Sequence, residues 1–303
     1  MTINAVRTPG QAASRQGVLL AVGSMVCVQL GLASSVGVVE QIGPADTAAL
    51  RLMWAGVILL ALVRRRVTTL TRKGLWISVE LGLATAGSGL LFMAAVARIP
   101  LGTASALEFM GPLGIAITHG RGNLRRVWPA TAALGVLFLT EPWNGAADPV
   151  GVGCALGAGA FWAAYILLTQ RVGDEVAGIV GLAVSLPVAG LVATLVAILV
   201  PNSGYPGAIP PQFWLAGLGL AVLLPLVPST LELLALRRVN AAAYGTLMCL
   251  EPALALLIGL VLLAQIPRTS SVVGVLLVVT AGVGAERTGS RTGSEPDVHV
   301  AGG

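Results

Sequence analysis

"LFMAAVARIPLGTASALEFMGPL", residues 91–113, decides the fold because the chain carries a second version of it. Shifted by 140 positions, it falls on "LELLALRRVNAAAYGTLMCLEPA", residues 231–253. Leu91 meets Leu231, Ala95 meets Ala235, Arg98 meets Arg238, Leu107 meets Leu247 and Pro112 meets Pro252. Glu251 falls opposite Gly111, so Glu108 lies one helical turn before the matching position. Each copy runs through apolar sequence, yet each contains a carboxylate and a proline. A carboxylate in lipid needs a partner or water, and a proline removes a backbone hydrogen bond.

Composition places these copies in a membrane. Of 303 residues, 56% are hydrophobic and 10% are charged, against about 25% charged in a soluble domain. The mean hydropathy is +0.89. The 39 glycines are enough to let helices approach closely. Segments of about 20 apolar residues, separated by charge clusters and Gly/Pro/Asn turns, define spans. Ten are expected: 17–39, 44–63, 74–96, 101–119, 127–141, 150–170, 177–199, 213–235, 241–264 and 269–285. The run from 17 to 39 is too long for a signal-peptide core, so it reads as an uncleaved first helix.

Basic residues orient the spans. With both termini inside, Arg7, Arg15, Arg64, Arg65, Arg66, Arg72, Lys73, Arg121, Arg125, Arg126, Arg171, Arg237, Arg238, Arg287 and Arg291 lie inside. Only Arg98 and Arg268 lie outside, and Arg51 falls within a span. This asymmetry predicts cytoplasmic termini. It also explains an isoelectric point near 9.7 without a nucleic-acid partner. An odd number of spans per half forces the halves to insert with opposite topology. The expected fold is therefore an all-α integral membrane protein, ten transmembrane helices as two five-helix inverted repeats. The repeats cover 17–141 and 150–285, flanked by cytoplasmic tails at 1–16 and 286–303, the second of them disordered.

Ionisable residues within spans are functional candidates because each is costly there. Glu108 and Glu251 lie on the paired fourth and ninth spans and could exchange protons or bind a substrate ammonium. A structural hydrogen bond or a salt bridge to Arg51 is the plainer role. Arg51 could hold a substrate carboxylate, or snorkel outward, or pair with Glu40 or Asp46. Glu232 lies near Arg237 and Arg238, as a site acid or as a charge-paired helix end. Glu80 is a weaker candidate. Pro112 and Pro252 kink their helices or free a carbonyl toward a cavity. Gln29 could reach that cavity. Trp162, Tyr165 and Tyr244 either line it or sit in the interfacial belt.

Other chemistries find little support. Cys27, Cys154 and Cys249 lie in apolar runs and form no CxxC. "GVGCALGAGAFW" lacks the strand context of a nucleotide loop, so Gly153 and Gly157 are expected to pack helices. GxSxG, HExxH and P-loop motifs are absent, and His119 and His299 are the only histidines. Neither an enzyme, a metal nor a cofactor is expected. The partners expected are a small-molecule substrate, protons and membrane lipid, with the oligomeric state open.

The stretches "TAALRL" (47–52), "PLGTASALEFMGPL" (100–113), "GCALGAGAFWAAYILLTQR" (153–171), "LELLALRRV" (231–239) and "YGTLMCLEPALALLIG" (244–259) resemble the drug/metabolite transporter superfamily, in its EamA-type branch. The nearer resemblance is to bacterial threonine and homoserine exporters. It implies a proton-driven exporter of small amino acids in the bacterial inner membrane, working by antiport through alternating access. It implies a central cavity lined by helices from both halves, including three, four, eight and nine, and Glu108, Glu251, Arg51 and Glu232 match positions of the family's motifs. Many members carry Gly-Glu after the ninth span, where this chain has Ala264-Gln265. Export of drugs or other metabolites is the alternative cargo, and a membrane scaffold or intramembrane enzyme is the alternative class.

Overall fold

The computed structural model describes residues 11–67, 71–119, 127–141, 148–175, 179–200, 207, 209–236, 238 and 247–289. All regular structure among them is helical. The helices are α1 (Gln11–Ile42), α2 (Pro44–Val67), α3 (Arg72–Val96), α4 (Leu101–Glu108), α5 (Met110–His119) and α6 (Val127–Thr140). They continue with α7 (Pro149–Glu175), α8 (Ile179–Leu199), α9 (Pro211–Ala221), α10 (Val227–Leu236), α11 (Glu251–Leu262) and α12 (Thr269–Gly289). A π-helical turn, Val222–Leu226, joins α9 to α10 around Pro225.

Five helical stretches, in α1, α2, α3, α7 and α8, are long and apolar enough to cross a membrane. The other expected spans coincide with shorter or interrupted apolar helices. Two helices run past the expected spans into the tails: α1 begins at Gln11 and α12 runs on to Gly289. The first extension holds Gln, Ala and Arg and the second Glu and Arg, which favour helix. Residues 290–303 lie outside the described residues.

Local chemistry sets the helix ends. Gly43, at φ +87°, closes α1, and Pro44 opens α2. The Thr71 hydroxyl accepts the Gly74 N–H at the start of α3, and the Asp148 carboxylate accepts the Val150 N–H at the start of α7. Asp148 also receives Arg98 Nη1 at 2.9 Å. That hydrogen bond holds the Asp148 carboxyl below the usual carboxylate range.

Each helix has recurrent neighbours: α2 packs on α8, α3 on α7 and α8, α1 on α10, α4 on α11 and α7, and α6 on α12. Water does not drive such contacts in lipid; close packing does. Outward faces remain apolar, as at Leu191, Leu195 and Ile198 along α8. All three cysteines are free thiols.

The tightest contact lies where α7 crosses the junction of α4 and α5. A Cβ on Gly111 would collide with the Gly159 carbonyl oxygen, and one on Gly159 would meet the Glu108 carbonyl oxygen at 2.5 Å. Two backbones touch here with no side chain between them. The expected pairing of Gly153 and Gly157 is corrected: Gly157 faces Leu91, but Gly153 is exposed with nothing within 4 Å. The inward face of α7 runs through Gly151, Ala155, Ala158 and Gly159, a helical stripe that leaves Gly153 on the other side.

Gly159→Ala is expected to lower the unfolding midpoint, whereas Gly153→Ala leaves it unchanged; thermal unfolding in detergent checks both. Ala264 stands at φ +52°, in the left-handed region. Ala264→Gly is expected to stabilise the fold by about 1 kcal/mol, read in the same assay.

Candidate functional site

Two breaks between helices are built alike. At one, α4 ends at Glu108, Phe109 forms a turn, and α5 begins at Met110. At the other, Cys249 and Leu250 form turns and α11 begins at Glu251. Phe109 and Cys249 occupy positions 140 apart, and both border the space above Gly282. Pro112 and Pro252 thus sit in the first turn of new helices, where a missing N–H costs least. Pro112 still leaves the Glu108 carbonyl without its helical donor, and that carbonyl abuts Gly159. It faces the α7 backbone rather than a cavity.

The carboxylate of Glu108 is met from α3. Ser88 Oγ donates to Glu108 Oε1 at 3.1 Å. The next residue, Gly89, makes room for the Arg51 guanidinium, whose Nη2 lies 2.9 Å from where a Cβ would stand. Gly87 in turn seats the Phe161 ring. The tripeptide Gly87-Ser88-Gly89 therefore positions three side chains from three other elements. Arg51 is only 9% exposed, and Glu108 acts on it electrostatically. Glu251 and Arg51 both act on Glu108. Two carboxylates and one guanidinium share this buried region.

Arg51 turns toward Glu108; Glu40 is exposed and Asp46 is buried at the start of α2. Trp162 of α7 packs edge-on against Phe109, with centroids 6.3 Å apart at 65°, so it belongs to the break. Tyr165 is half-buried one turn further along α7, and Glu80 is exposed. Gln29 of α1 is fully buried, and neither of its amide atoms has a hydrogen-bond partner. Glu232 lies on α10 with its side chain outside the described atoms, and Tyr244 lies outside the described residues.

Three polar groups escape a reading of the sequence. Ser88 is one. The others are Ser105 Oγ and Trp54 Nε1, both buried without a hydrogen-bond partner, as is Arg51 Nε. Ser105 lies one turn before Glu108, and Trp54 one turn after Arg51, so each shares its helix face. Buried donors left unpaired are costly unless something binds them. No cluster of His, Cys, Asp or Glu able to hold a metal occurs among the described residues.

Buried charge at paired helix breaks, inside an apolar multi-pass bundle, defines a membrane transporter. The EamA-like transporter family matches residues 149–284. The chain is 31% identical over 276 residues to the threonine/homoserine exporter RhtA of Salmonella typhimurium (strain SL1344), covering 89% of this chain and 91% of the relative. It is 31% identical over 270 residues to the RhtA of Escherichia coli (strain K12), covering 88% and 89%. A solved crystal structure superposes with a TM-score of 0.58 at 18% identity, over 89% of this chain and 96% of the other, a likeness of fold. The chain belongs to the EamA-like transporter family.

Removing the guanidinium leaves two carboxylates facing each other. Arg51→Met is expected to reduce folded yield strongly, by an amount in keeping with about 3 kcal/mol for a broken buried pair. Adding Glu108→Gln is expected to recover part of that yield. Size-exclusion profiles of the single and double variants check this, and purely additive losses would contradict the coupling.

Proposed function

We propose that the protein exports small amino acids such as threonine and homoserine across the bacterial inner membrane in exchange for protons. The observation that carries this reading is the grouping of Glu108, Glu251 and Arg51 in one buried region. A carboxylate there can be matched by a proton or by a substrate ammonium, but not by both at once. Competition of that kind is antiport. Arg51, with its unpartnered Nε, is suited to the substrate carboxylate, and Ser88 keeps Glu108 in place. Gln29 and Ser105 supply further polar atoms. The RhtA relatives are threonine/homoserine exporters, which agrees with this choice.

The packing pattern supports a ten-span, two-repeat architecture. Exchanging each expected span with the one five places on turns the α3–α7 contact into the α1–α10 contact. The same exchange maps α2–α8, α4–α11 and α6–α12 onto themselves. An inverted repeat has this symmetry, and its substrate site lies where the halves meet. The domains read as repeats 17–141 and 150–285, with both termini cytoplasmic by the distribution of Arg and Lys.

Glu108→Gln removes the exchangeable charge and keeps the shape. In proteoliposomes loaded with labelled threonine, the wild type is expected to show efflux accelerated by an inward proton gradient. The Glu108→Gln variant is expected to lose that acceleration at unchanged folded yield. Equal acceleration in both would falsify the assignment.

A further inference from the structure

A cavity of about 210 Å³ lies at the far end of α4 from Glu108. Its wall includes Arg98, Thr103, Glu141, Gln265, Arg268 and Ser271. By the distribution of basic residues this is the outer side, where the substrate would leave. Drug-sized ligands occupy roughly 300–1,000 Å³, so the space suits a smaller molecule.

The charged groups there are built in. Arg268 Nη1 donates to Glu141 Oε2 at 2.9 Å, and the Glu141 side chain is only 8% exposed. Ser270 also donates to Glu141. Arg98, paired with Asp148, lines the same space. The Gln265 side-chain oxygen accepts the Leu101 N–H at 3.0 Å and so caps α4. Gly102 and Thr103 follow in that first turn and line the cavity. First-turn N–H groups have no acceptor within their own helix. Gly102 must be small, because a Cβ there would meet Leu256 Cα of α11 at 2.8 Å.

An ion pair could merely tie two loops together. The backbone argues for more. Among the described residues, the only non-glycine positions with positive φ are Glu141 at +40° and Ala264 at +52°. Glu141 lines the cavity, and Ala264 adjoins Gln265, which also does. Strain gathered at one place is held there by its surroundings and marks sites that bind or switch.

We propose that this outer cavity is a second binding site, specific for a zwitterionic amino acid leaving the transporter. Its carboxylate is held by Arg268, Arg98 and the first-turn amides of α4, and its ammonium by Glu141. The proposal rests on the amino-acid export reading above. An amino acid carries the same two charges as the Arg268–Glu141 pair. It can therefore replace each residue as the other's partner, whereas an acid alone would strand the buried Glu141 and an amine alone would leave Arg268 without a carboxylate. The same short helix then joins the two sites: its first turn faces the cavity, and its last residue is Glu108.

The test uses the full chain with Ser271→Cys in right-side-out membrane vesicles and a membrane-impermeant maleimide outside. External threonine is expected to slow labelling of the new thiol by about tenfold. 1-Amino-2-propanol and 3-hydroxybutyrate, which lack its carboxylate and its amine respectively, are expected not to. Arg268→Gln and Glu141→Gln should each abolish the protection. If Glu141→Gln fails to fold, Arg268→Gln and the exposed Arg98→Gln decide alone. Labelling unaffected by threonine would overturn the outer site. So would equal protection by all three compounds. Efflux of labelled threonine from the same vesicles is followed separately. Efflux without protection overturns this site and leaves the export reading standing; protection without efflux upholds the site and overturns the export reading.

Discussion

A charged side chain in hydrocarbon costs at least a few kcal/mol, and the architecture around Glu108 follows from avoiding that cost. Arg51 comes from α2, Ser88 from α3, and Glu251 from the start of α11. None of these groups is near another in sequence. Each helix must hold its rotation for the carboxylate to be met. Gly89 leaves room for the guanidinium, and Gly111 and Gly159 bring α7 against the junction. The small residues of a membrane bundle thus do more than allow close packing; here they set where polar groups reach each other.

The helix breaks put those charges to use. A continuous helix would satisfy its own backbone and leave Glu108 on one face among many. Interruption at Phe109 and at Cys249-Leu250 gives the chain two helix ends among apolar residues, each with a carboxylate at that end. The prolines matter less as kinks than as starts, since each occupies a first turn. Trp162 covers the first break from the side.

Much of this was legible from residues alone, for physical reasons. Apolar length and charge clusters locate helices, because the bilayer leaves few alternatives. Proline and an intramembrane glutamate mark positions that carry a cost, so Glu108, Glu251 and Arg51 stood out. What could not be read was facing. Gly153 and Gly157 have the spacing of a packing motif, yet the stripe through Gly151, Ala155, Ala158 and Gly159 faces inward. No spacing rule chooses between the two without knowing what α7 packs against. Ser88 escaped for a similar reason: a lone serine in a span usually bonds to its own backbone, as Ser78 and Thr85 do. The helices run past the expected spans because apolarity marks where lipid ends, whereas helix propensity carries on into the polar residues beyond.

The contact between Gly111 and Gly159 has a mechanical meaning. Side chains in an interface can swap rotamers and let helices slide; two bare backbones cannot. The contact bars α7 from slipping past α4 and α5, and it leaves tilt about that point as the motion it opposes least. Counted at 1.5 Å per residue, α7 extends about 15 Å from Gly159 to its first residue and about 24 Å to its last. Any tilt therefore sweeps the C-terminal end through a wider arc than the N-terminal end. The crossing acts as an off-centre fulcrum, and the carbonyl of Glu108 rests on its bearing surface.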